Sequence, residues 1–91
     1  MNSMGPAADR QMNTGFNDYL ATFYTHTAAV VSSRQLKNAG IQNRMMPVPR
    51  SLSSSCGVCI RYQAENEKRE LMDEELEAVY RVTENGDYTK L

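Results

Sequence analysis

Residues 58–83 read VCIRYQAENEKRELMDEELEAVYRVT, and the changes of period along them decide the fold. Val58, Ile60 and Tyr62 alternate with Cys59, Arg61 and Gln63, the pattern of a half-buried strand. From Ala64 to Val79 strong helix formers take over. Met72, Leu76 and Val79 fall at i, i+4 and i+7, with Leu71 beside them and the acidic residues on the other face. Tyr80–Thr83 then reads as another strand. This stretch predicts strand, helix, strand.

The residues before it repeat the same plan. Tyr19–Tyr24 (YLATFY) is aromatic-rich and has strand length. Thr25 or Thr27 offers an N-cap, and Ala29, Ser32, Leu36 and Ala39 recur at helical spacing up to Gly40, a suitable residue just past a helix. Ile41–Val48 reads as a strand cut off by Pro47 and Pro49, because proline cannot donate to a ladder. Arg50–Gly57 is a polar loop. Asn85-Gly86 favours a tight hairpin into Asp87–Leu91. The order predicts an α+β fold, a ferredoxin-like β-α-β-β-α-β sandwich with a C-terminal hairpin extension. Both helices should cover one face of a four-stranded antiparallel sheet, with Leu36, Ile60, Met72 and Leu76 in the shared core. Residues 1–16 contain Gly5, Pro6 and Gly15 and show no period, so they read as a disordered N-terminal extension before a single domain, 17–91.

Composition narrows the function classes. The chain has 91 residues, 41% hydrophobic and 23% charged, which suits one small folded domain and excludes a large stand-alone enzyme. A carrier, a regulatory module or a subunit fits. No apolar run approaches the roughly 20 residues of a membrane span, and no basic-then-apolar leader is visible, so neither membrane insertion nor secretion is expected. Basic residues dominate up to Gln63 and acidic ones after it. The cations are spread singly without interleaved aromatics, which argues against nucleic acid. Both cysteines lie in Cys56-Gly57-Val58-Cys59, too few for a disulfide framework, and point to a reducing, cytoplasmic setting.

The chemistry concentrates in Pro49-Arg50-Ser51-Leu52-Ser53-Ser54-Ser55-Cys56-Gly57. A thiol becomes nucleophilic when donors or positive charge stabilise its thiolate. Ser53, Ser54 and Ser55 precede Cys56, Gly57 lets the backbone turn so that amides converge on the sulfur, and Arg50 and Arg61 add positive potential. The plainer reading is a flexible loop with a small buried cysteine. Cys56 and Cys59 together also suit a redox dithiol, Cys59 being the candidate resolving thiol, or half a zinc site. No metal is expected, since two cysteines and His26 fall short of four ligands. Thioredoxin-type motifs open a helix, whereas Cys59 falls inside a strand and points to the open sheet face. His26, before the first helix, is a candidate proton acceptor or a capping residue. Asp73, Glu74, Glu75 and Glu77 read as a solvated face.

These residues bring a family into view. Tyr24-Thr25-His26-Thr27-Ala28, Ala39-Gly40-Ile41, Pro47-Val48-Pro49-Arg50 and Ser53-Ser54-Ser55-Cys56-Gly57 together resemble the selenium/sulfur carrier-like protein family, small bacterial proteins. The similarity covers about residues 19–91, through Tyr88-Thr89-Lys90-Leu91. It implies a cysteine that holds sulfur or selenium as a persulfide or perselenide, here Cys56, with no cofactor beyond the cargo. It also implies a donor such as a cysteine desulfurase and an acceptor enzyme. Cys59 stands where the family commonly has a small residue, which keeps a disulfide or metal role open. Two other readings stand beside the carrier: a small regulatory or ligand-binding ferredoxin-like module, with a homodimer through the open sheet face, and a Cys-x-x-Cys thiol redox protein.

Overall fold

The helix α1 (His26–Asn38) is bounded by local chemistry at both ends. Thr25 is its N-cap, its hydroxyl accepting the Ala28 amide at 3.1 Å. At the other end Gly40 takes a positive φ of 82°, its amide donates to Lys37 and that of Ile41 to Leu36, the paired bonds of a Schellman stop. Ala28, Ala29, Ser32 and Leu36 form the buried stripe between these caps. The computed structural model describes residues 15–91. Most of the expected N-terminal extension, residues 1–14, lies outside the described residues.

Among the described residues five strands accompany the helix: β1 (Asn17–Phe23), β2 (Asn43–Pro47), β3 (Val58–Ala64), β4 (Leu76–Val82) and β5 (Tyr88–Lys90). They form one sheet in the order β2-β3-β1-β4-β5, every neighbour antiparallel. The α+β class, the antiparallel sheet and the C-terminal hairpin are as the sequence predicts. The hairpin has a three-residue loop, 84–86. The Thr83 amide donates to Asp87 and the Gly86 amide to Thr83, and Gly86 alone in that loop takes a positive φ, the type I turn with a left-handed third residue.

The second helix is the correction. Residues 65–75 form no α-helix, only a single 3-10 turn at Arg69–Leu71, and Leu76–Val82 is a strand. Local bonds compete with the helix throughout. Asn66 accepts the Lys68 amide, Lys68 is left-handed with φ 56°, and the Leu76 amide returns to Asp73. Leu76–Val82 also alternates by strand period, which the helix-forming glutamates obscure. The segment is tied to α1 instead: the Asp73 amide donates to the buried Ser32 hydroxyl at 2.8 Å. Met72 still reaches the core, but Leu76 is only half-buried.

The core lies between α1 and one sheet face. Tyr19, Ala21, Phe23, Ile60, Tyr62 and Val79 from the strands meet Ala28, Ala29 and Leu36 from the helix. Tyr19 and Tyr62 stack at 5.4 Å between ring centres. The pairing register places Leu20, Thr22, Cys59 and Ala78 on the opposite face, the one expected to be open. It is not open at its centre: Leu20, Thr22 and Cys59 are 0% exposed. The cover is the loop between β2 and β3. It is anchored at the Phe23 end of β1, and Ser51 and Leu52 reach the β4–β5 hairpin, lining a hollow with Gly86, Asp87 and Tyr88. A polar loop thus takes the place of a second layer.

Candidate functional site

The β2–β3 loop is closed at its neck and latched at its middle. Pro47 pairs with Val58, and the Val48 amide donates to the Gly57 carbonyl at 3.1 Å. Gly57 has φ 78°, a left-handed conformation that costs any residue with a Cβ on the order of 1–2 kcal/mol. The backbone next to Cys56 therefore favours a glycine.

Glu77 makes the latch. The β1–β4 register shifts between Thr22 and Phe23: Thr22 faces Ala78, Phe23 faces Leu76, and Glu77 is the extra residue of a bulge. Bulges re-aim a side chain out of the alternating pattern. Glu77 Oε1 lies 3.0 Å from the Ser54 hydroxyl and 3.3 Å from the Ser55 amide, and Oε2 lies 3.5 Å from the Ser55 hydroxyl. The single Ser54 proton is shared with the Phe23 carbonyl at 3.3 Å. Sequence reasoning placed Glu77 on a solvated helix face; only the bulge, which no composition signal announces, turns it to the loop.

Cys56 is half-buried and packs against the helix-side core. Its Sγ lies 3.4 Å from the Val58 amide, which donates to it, and 3.2 Å from the Val58 carbonyl, to which the thiol donates. One residue thus offers a donor for the sulfur lone pairs and an acceptor for its proton. The Ser54 and Ser55 hydroxyls are directed to Glu77 rather than to this sulfur. Ser53 and Arg50 are exposed in the loop, and His26 is exposed at the first turn of α1. Among the described residues no hydrogen bond joins His26 or Arg50 to Cys56.

Cys59 sits in a different setting. It is fully buried, its thiol donates to the Pro47 carbonyl at 3.6 Å, and its pKa is pushed up to about 11. Burial is the main cause and the nearby Cys56 adds to it, while the Arg61 guanidinium pulls the other way. Both cysteines are free. Among the described residues no three His, Cys, Asp or Glu side chains cluster as a metal site, and no helix is long and apolar enough to cross a membrane.

Residues 18–82 match the protein family described as "Putative Se/S carrier protein-like". No curated protein and no solved structure matches the chain.

Proposed function

Because the chain belongs to this selenium/sulfur carrier-like family, we propose that it holds sulfur or selenium on Cys56 and hands it between partner enzymes. The observation that carries the assignment to Cys56 is the contrast between the two thiols. Cys56 is partly accessible on a latched loop with a backbone amide at its sulfur, whereas Cys59 is enclosed and held as a thiol. In the loading step the Cys56 thiolate attacks the outer sulfur of a donor protein persulfide. The new Sγ–S bond forms as the donor S–S bond breaks, and the donor cysteine leaves as a thiolate that takes up a proton. An acceptor nucleophile then attacks the carried atom and releases Cys56. Selenium follows the same course as a perselenide.

The remaining residues have supporting roles in this reading. The Val58 amide stabilises the sulfur anion, Ser54 and Ser55 fix the loop through Glu77, and Gly57 supplies the turn. Exposed Arg50 and Ser53 meet the partner surface, and the domain proper is 17–91, working in the cytoplasm beside a cysteine desulfurase-type donor. The strand order β2-β3-β1-β4 supports describing the fold as a ferredoxin-like sheet whose second crossover has shrunk to a turn.

Incubating the protein with a cysteine desulfurase and cysteine, then mapping adducts by mass spectrometry, tests the assignment. The expected result is one added sulfur atom on Cys56, absent from Cys56→Ser. Loss of two hydrogens across Cys56 and Cys59, with no sulfur gained, would replace the carrier with a dithiol couple.

A further inference from the structure

Arg44 on β2 and Arg61 on β3 stand directly opposite each other in the antiparallel ladder. Their Cβ atoms are therefore about 5 Å apart on one side of the sheet, a register in which like charges destabilise the pair. The protein supplies a partial answer. Asp18 Oδ2 lies 3.7 Å from a terminal nitrogen of Arg61, an ion pair too long for a good hydrogen bond. One net positive charge remains among the three side chains. In addition, Arg61 Nε is buried with no hydrogen-bond partner among the described residues. A buried donor on a charged group is costly to leave unpaired, and an acceptor that draws the guanidinium round to expose this nitrogen would recover that cost.

These three side chains line a single hollow of about 400 Å³, open to solvent, together with Gln42 and Gln63. The hollow has ample room for a tetrahedral oxyanion. A guanidinium offers such an anion two parallel N–H donors in a fixed fork, and the two side-chain amides offer further donors. None of these residues belongs to the Cys56 loop. We propose that this hollow binds a small tetrahedral oxyanion, held between Arg44 and Arg61, with Asp18 steadying the Arg61 guanidinium. The anion relieves the cross-strand repulsion, and the Arg61 guanidinium turns to offer it the orphaned Nε. The site is independent of thiol transfer and stands or falls without it.

Titrating inorganic phosphate into the full chain at constant ionic strength, with chloride as the control, tests the site by heteronuclear NMR. The Arg61 Nε–H signal and the amides of Arg44 and Gln63 should shift saturably, and chloride should not reproduce the shift. Arg44→Gln should weaken the binding about tenfold or more, the scale of one lost charge-assisted bond. Arg44 is exposed on the edge strand and its loss removes the like-charge pair, so this variant should melt no lower than the wild type. Arg61→Lys, which keeps the charge but removes the fork, should show a comparable loss. Shifts that rise linearly with phosphate, that chloride matches, or that persist unchanged in both variants overturn the proposal.

Discussion

Ser55 and Glu77, far apart in sequence, meet twice. The Ser55 amide lies 3.3 Å from one carboxylate oxygen of Glu77 and its hydroxyl 3.5 Å from the other. With Ser54 on the same carboxylate, the pair holds the cysteine-bearing loop against the end of the sheet.

Removing the carboxylate should loosen that loop. Glu77→Ala leaves the Ser54 hydroxyl and the Ser55 amide and hydroxyl without their carboxylate, and should cost about 1–3 kcal/mol in urea unfolding. Hydrogen exchange in residues 48–57 should quicken at the same time. Glu77→Gln keeps an oxygen towards Ser54 and should retain most of the stability. Unaltered exchange in Glu77→Ala would mean that the loop is held by something other than this contact.

The two thiols should separate cleanly under alkylation. At pH 7 iodoacetamide is expected to modify half-exposed Cys56 and to leave fully buried Cys59 untouched until the protein is unfolded. Peptide mapping after a time course reads this directly. Equal modification of both in the native protein would show that the loop does not seal the face beneath it.

Cys59 also makes stability depend on alkaline pH. Unfolded, its thiol ionises near 9.0; folded, near 11. Between those values the folded state keeps a proton that the unfolded state has lost. The stabilising contribution is therefore complete below pH 9 and drains away as the pH rises through 11, a loss on the order of 3 kcal/mol. Urea unfolding across this range should show a shallower decline for Cys59→Ala than for the wild type. Parallel curves would assign the alkaline loss elsewhere, for instance to buried Tyr62, whose phenol is also pushed up by burial.

The core prediction rests on Leu36, which is fully buried between α1 and the sheet. Leu36→Ala should cost about 2–5 kcal/mol, a large part of what a domain this small possesses. Leu76→Ala should cost less, since Leu76 only edges the cluster. Calorimetry that ranked the two the other way would put the principal packing on β4 rather than on the helix.

Where the sequence carried a two-ended signal, the fold was legible. Thr25, one of two N-cap candidates, and Gly40 mark α1, Pro47 ends β2, and Val58–Gln63 shows its alternation. The second helix that the sequence predicts is absent because its apolar residues fit two periods. Met72, Leu76 and Val79 satisfy i, i+4, i+7, yet Leu76, Ala78, Tyr80 and Val82 recur at strand spacing with only Val79 out of step, and glutamate-rich composition favours the helix. What decides the matter is tertiary: β1 needs a second neighbour, and β4 gains a full ladder with it. The loop around Cys56 was legible as chemistry from Ser-Ser-Ser-Cys-Gly. Its partner was not, because Glu77 reaches it through a register shift between two strands distant in sequence.

The position of Cys56 within its loop has one more consequence. It lies a single residue from the Gly57 carbonyl that closes the neck, and two from Val58, where the ladder begins. A swinging arm gains reach with each free residue at about 3.5 Å apiece, so this sulfur has a tether of one or two such lengths. Even with the Glu77 latch undone, the thiol stays at the rim of the sheet. An enzyme that exchanges an atom with it must bring its own reactive group to that rim, and its active site must be shallow enough to admit the end of a β-sheet rather than an extended finger.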